Sequence, residues 1–130
     1  MAAGTYNFTI EQGTTVNFEL QYTDSNDLPI SLAGYSGRMQ IKSGFANDNP
    51  TTYISLSSSL ASDGTGLNFS GSSGNTPVSS GSIGIYISAV SSSAFTFAKA
   101  KYDLEIASGS TVTRILEGVI TLSKEVTTIP

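Results

Sequence analysis

Strict two-residue alternation of apolar and polar side chains constrains this chain's fold more than any other feature. Val16, Phe18, Leu20 and Tyr22 alternate with Asn17, Glu19 and Gln21. A period of two puts one set on each face of an extended strand, whereas a helix would mix them. The same pattern appears earlier, where Tyr6, Phe8 and Ile10 alternate with Asn7, Thr9 and Glu11 before Gly13. It returns in Met39 and Ile41 against Arg38, Gln40 and Lys42, and in Ile83, Ile85 and Ile87 against Gly84, Tyr86 and Ser88. Near the end, Tyr102, Leu104 and Ile106 alternate with Lys101, Asp103 and Glu105, and Val112 to Leu122 makes a long final strand. Two shorter strands fit Tyr53 to Leu56 and the stretch holding Leu67 and Phe69.

Turn chemistry separates these strands. Thr23-Asp24-Ser25-Asn26-Asp27 ends the second one, and Asn47-Asp48-Asn49-Pro50 sits in a loop from Gly44 to Pro50. Asp63-Gly64 and Ser108-Gly109-Ser110 read as tight turns. Pro29 cannot donate to a central ladder, so Leu28 to Leu32 is expected at an edge or in a connection. Residues 71–82, rich in Gly and Ser, read as an exposed loop within the domain. Val90, Phe95 and Phe97 would share one short helical turn or a cap over the end of the fold. Seven to eight short strands with at most one short helical turn predict an all-β fold, an antiparallel immunoglobulin-like β-sandwich. A small barrel is the alternative. The whole chain, 1–130, suits a single domain. The Cys–Trp–Cys hallmark of true immunoglobulin domains is absent, because the chain contains neither residue.

Composition narrows the chemistry. With no His and no Cys, triads built on Ser–His or Cys–His and the usual zinc sites are excluded. No Gly-x-Ser-x-Gly elbow and no Gly-x-x-x-x-Gly-Lys phosphate loop occurs. The reading is therefore non-enzymatic, with no cofactor and no metal. Charged residues make up 12% of the chain and the net charge is −4, against about 25% charged residues in an ordinary domain. No basic stripe is available to neutralise phosphates, so nucleic acid is not expected as a partner. No apolar run reaches the length of a membrane span, and Met1-Ala2-Ala3-Gly4 lacks the start of a signal peptide, so no membrane partner is expected. A weakly charged Ser/Thr-rich surface is easily desolvated and suits packing against neighbours.

Three polar groups are candidate sites. Asp24, Asn26 and Asp27 offer oxygen ligands for a cation, or simply an Asx turn bonding its own backbone. Asp103 and Glu105 share a strand face, with Glu117 close if the last two strands form a hairpin; this is either a carboxylate pair of glycosidase type or a solvated face balanced by Lys101 and Arg114. Arg38, Gln40 and Lys42 form a polar strip, either the wet face of a strand or a contact for another subunit. Ile115 and Val119 would give the final strand a second apolar face, fit for an oligomer contact.

Two stretches carry a resemblance. One begins Tyr6-Asn7-Phe8-Thr9-Ile10-Glu11-Gln12-Gly13 and runs to Pro29-Ile30-Ser31-Leu32-Ala33-Gly34-Tyr35-Ser36-Gly37-Arg38-Met39-Gln40-Ile41. The other is Tyr102-Asp103-Leu104-Glu105-Ile106 followed by Val112-Thr113-Arg114-Ile115-Leu116-Glu117-Gly118. Together they resemble small structural proteins of tailed bacteriophages, found among tail and baseplate genes, and the layout is similar to the N-terminal domain of the phage baseplate upper protein family. The resemblance implies a β-sandwich virion protein, assembled in the host bacterial cytoplasm, whose expected partners are other virion proteins and further copies of itself in a homo-oligomer. It brings no catalytic residue. The contact elements expected on this reading are the N-terminal and final strands, with Tyr6, Phe8, Ile10, Arg38, Gln40, Ile115, Glu117 and Val119 as interface residues. Val119→Asp or Ile115→Asp is then expected to weaken assembly more than folding. The competing expectation is a carbohydrate- or receptor-binding module that stacks a ligand on Tyr35, Phe45, Tyr53 and Tyr86 at one end of the sandwich.

Overall fold

The computed structural model describes residues 4–24, 26–44, 50–71, 74–75, 77–124 and 126. The start at Met1, Ser25, Phe45 and the Asn47-Asp48-Asn49 turn lie outside the described residues. Nine strands form among those described: β1 (Gly4–Thr5), β2 (Phe8–Glu11), β3 (Val16–Gln21), β4 (Ser36–Lys42), β5 (Thr52–Ser57), β6 (Gly66–Asn68), β7 (Ser82–Ile87), β8 (Lys99–Ser108) and β9 (Thr111–Ser123). They lie in two sheets. The larger runs β1-β9-β8-β4-β5, with β2 also on the outer side of β9, and the smaller runs β3-β7-β6. This is an all-β, immunoglobulin-like sandwich, with the β9-β8-β4-β5 sheet extended as in variable-type domains.

The inward sets are the apolar sets of the alternation. Met39, Ile41, Leu56, Leu104, Ile106, Leu116, Ile120 and Leu122 from the larger sheet meet Leu67, Ile83, Ile85 and Ile87 from the smaller one. The packing is close at Gly37, where a methyl group would stand 2.8 Å from the Phe69 ring. The hairpin between β8 and β9 closes through Gly109-Ser110, with Gly109 at φ 60°. A left-handed first turn residue is what a two-residue II′ loop demands, and glycine supplies it without strain.

Three features depart from simple alternation. First, the N-terminal segment is two strands rather than one, and both pair parallel with β9, while every other ladder is antiparallel. Second, β9 carries a bulge: Leu104 faces Leu116 but Glu105 faces Arg114, leaving Ile115 as the extra residue. Third, the 71–82 segment is only partly an exposed loop. Its far end forms a 3-10 turn (Val78–Ser80), and the carbonyl of Val78 accepts from the Leu32 amide at 2.9 Å. Gly71 and Gly81 are buried.

One end of the sandwich is closed by the helix α1 (Ala89–Ser93) and the strap behind it. The Ser88 hydroxyl caps α1 by accepting from the Ser91 amide at 3.2 Å. Ser92 donates to the Thr14 carbonyl at 2.7 Å, tying α1 to the turn before β3. Phe95 and Phe97 insert into the core as expected of a cap, and Tyr53 packs on Phe97 with ring centroids 4.7 Å apart. Val90 departs from that trio: it is 80% exposed.

Candidate interaction face

The outward sets of the larger sheet meet on one surface. Across β4, β8 and β9 the register places Gln40 opposite Asp103 and Asp103 opposite Glu117. One step along, Arg38 faces Glu105, which faces Arg114; one step the other way, Lys42 faces Lys101, which faces Val119. The result is a broad concavity of about 700 Å³, lined by these side chains other than Arg38 and, near β1, by Thr5, Asn7 and Gly118.

Arg114 organises its charge. The guanidinium Nε lies 3.3 Å from Asp103 and 3.8 Å from Glu105, and Nη1 lies 3.4 Å from Glu117. The hairpin suggested by the carboxylate spacing is therefore real, and the carboxylates share one cation. All four groups are about half exposed, so water and salt screen the network and it adds little to stability. The bulge at Ile115 brings Arg114 into this row: without the extra residue, the alternation of β9 would be in a different phase at Arg114. On the other flank Gln40 donates from Nε2 to the Ser55 hydroxyl at 3.0 Å.

The rim at β1 and β2 is a built junction. The chain kinks at Tyr6-Asn7, and the side chain of Asn7 replaces a ladder contact by accepting from the Val119 amide at 2.8 Å. The Tyr6 amide donates to the Glu117 carbonyl at 2.9 Å, and the Tyr102 hydroxyl donates to the Tyr6 carbonyl at 2.5 Å. Burial, and secondarily the neighbouring Tyr6, pushes the Tyr102 phenol far above its ordinary range. Gly118 makes room for the kink, since a Cβ there would stand 2.8 Å from the Tyr6 carbonyl carbon and 2.9 Å from Asn7 Oδ1.

The interface residues expected from the sequence divide between this face and the core. Gln40, Glu117 and Val119 line the concavity, and Arg38 is exposed in the same outward row. Tyr6 is 48% exposed and stacks on Phe8 at 5.5 Å beside Phe18. Phe8 is half-buried, with its ring edge-on to Phe18 and Tyr102. Ile10 is 1% exposed and belongs to the core, so it offers no surface while β2 stays in the sheet. Ile115, the extra residue of the bulge, is half-buried and packs against the core. Ile115→Asp would therefore damage folding directly and cannot separate assembly from stability.

Asn7 and Gly118 were not among the expected residues. A glycine inside an otherwise β-rich strand was the available signal, because it often marks close approach of another backbone. The Asp24 group forms an Asx turn: Asp24 Oδ1 accepts from the amides of Asn26 at 2.8 Å and Leu28 at 3.1 Å. The aromatics proposed to stack a ligand do not converge. Tyr53 lies against Phe97, Tyr35 packs on the core, and Tyr86 is on the smaller sheet. Among the described residues no helix is long and apolar enough to cross a membrane. No protein-family model matches the chain, and no curated protein matches it in sequence.

Proposed function

We propose that this protein is a non-enzymatic structural subunit of a tailed-phage virion, which binds other virion proteins through the outer face of its larger sheet. The observation that carries the reading is the face itself. It is wide and concave, it is backed by a continuous sheet, and its lining sets Lys42, Lys101 and Arg114 against Asp103, Glu105 and Glu117. Such a surface offers both signs of charge for complementary pairing, which favours specificity of contact, and Gln40, Asn7 and Thr5 add polar groups for hydrogen bonds across an interface. The resemblance of the Tyr6–Ile41 and Tyr102–Gly118 stretches to tail and baseplate proteins supports placing the partners in a virion.

The test is solution mass by light scattering across a concentration series, for the protein alone and mixed with purified tail and baseplate proteins. A discrete oligomer that persists on dilution, or a stable mixed complex, is the expected result. Val119→Asp should dissolve that complex while leaving the melting temperature within a few degrees. A monomer at every concentration that also binds no virion protein would overturn the reading.

A further inference from the structure

The outer face of the smaller sheet holds a second depression, which the proposed assembly face does not use. Its centre is Gly84 on β7, with Tyr86 two residues along on the same outward row. In register Tyr86 lies opposite Asn17 on β3, and Gly84 lies opposite Asn68 on β6. Gly64, from the turn before β6, closes the site beside Tyr86: a Cβ built there would stand 3.6 Å from the ring. Leu60 completes the wall and is 45% exposed. The space is about 170 Å³, room for one small ring and little more.

Among the described residues its lining carries one aromatic ring, one aliphatic side chain, two primary amides and glycines, and no charged group. Glu19, opposite Gly84 on β3, is not part of the lining. An ion would lose hydration there without gaining a counter-charge, so the site selects a neutral ligand. The Asn17 amide can donate and accept at once, while Asn68 Oδ1 already accepts from the Ser70 amide at 2.9 Å and its Nδ2 serves as a donor, a set that matches neighbouring hydroxyls. An aromatic ring beside an aliphatic wall takes an apolar C–H face, and a glycine within a strand is where a ligand can come close to the sheet backbone. From this combination we infer that the Gly84–Tyr86 depression is a binding site for a neutral pyranose ring. The ring's C–H face rests on Tyr86, and its hydroxyls meet Asn17 and Asn68.

This site and the assembly face lie on opposite sides of the sandwich, so either can fail without the other. The experiment is a titration of the ¹⁵N-labelled full-length protein with glucose, galactose, mannose and N-acetylglucosamine, each followed by amide chemical shifts. At least one sugar should give saturable shifts confined to the neighbourhood of Gly64, Asn68, Gly84 and Tyr86. Tyr86→Ala should weaken that binding about tenfold or more through loss of the ring contact. Should that variant misfold, Asn17→Ala on the exposed face of β3 tests the same site, with the unshifted part of the spectrum reporting the fold. No saturable shift with any of the four sugars, shifts mapping to the larger sheet, or unchanged affinity in a folded Tyr86→Ala or Asn17→Ala protein would each overturn the assignment.

Discussion

Gly118→Ala is the sharpest test of how the N-terminal strands are held. The added methyl would meet the Tyr6 carbonyl, with its carbon 2.8 Å away and the oxygen nearer still, and would also crowd Asn7 Oδ1 at 2.9 Å. Two of these three atoms are backbone, so no side chain rotation relieves the clash, and the Tyr6-Asn7 kink must move off β9. Three hydrogen bonds depend on that kink: Tyr6 amide to Glu117 carbonyl, Val119 amide to Asn7 Oδ1, and Tyr102 hydroxyl to Tyr6 carbonyl. At about 1 kcal/mol net for each, the loss is about 3 kcal/mol if the displacement stays local. If β2 leaves with it, Ile10 is uncovered and a further cost of roughly 2–5 kcal/mol is added, comparable to truncating a core aliphatic. Urea denaturation of wild type and variant measures the total, and hydrogen exchange at the Val119 amide reports the local opening. The variant should lose about 3 kcal/mol or more and its Val119 amide should exchange faster relative to β8 amides. Asn7→Ala added to Gly118→Ala should then cost less than Asn7→Ala alone, since the bond it removes is already broken. A loss under about 1 kcal/mol with Val119 still protected would refute the claim that glycine is required there for close approach.

Other perturbations follow from the same contacts. Tyr102→Phe removes the bond to the Tyr6 carbonyl and should cost about 1 kcal/mol near neutral pH. Because the folded phenol titrates above the ordinary 10.0, wild-type stability is full below that value and falls as pH rises beyond it. The wild-type advantage should therefore shrink in alkaline melts, and a gap that widens with pH would contradict the burial argument. Asp63 behaves in the opposite sense. The Thr65 amide first, then the Ser88 and Thr65 hydroxyls, hold its carboxyl below the usual 3.8. Its contribution is present above that value and disappears as pH falls through the folded one, so Asp63→Asn should flatten the acid limb of a melting-temperature profile. Ile10→Ala should cost roughly 2–5 kcal/mol in chemical denaturation, as a core truncation does. Arg114→Ala should change stability by less than about 1 kcal/mol, and by less still in high salt; a large salt-insensitive loss would mean the network is structural rather than a surface feature.

Much of the architecture was legible in the residues alone. Val16 to Gln21, Arg38 to Lys42 and Lys101 to Ile106 form strands where alternation placed them, because period two follows from the pleat itself and needs no knowledge of neighbours. Ser108-Gly109-Ser110 turns where a left-handed glycine makes a II′ loop inexpensive. The carboxylates of β8 and Arg114 meet because a tight hairpin leaves β8 and β9 little freedom of register. What the sequence could not supply was everything set by partners distant along the chain. Whether Tyr6 to Glu11 pairs parallel or antiparallel depends on where β9 ends up, and no local preference distinguishes the two. The phase of β9 past Arg114 changes at a bulge that a single strand's pattern does not announce, and so Ile115 packs half-buried against the core while Val119 lines the concavity. Likewise Asn17, Asn68, Gly84 and Tyr86 lie far apart along the chain, and only the β3-β7-β6 ladder gathers them into one depression. Local sterics and hydrophobic periodicity determined the strands; long-range pairing alone decided which faces they built.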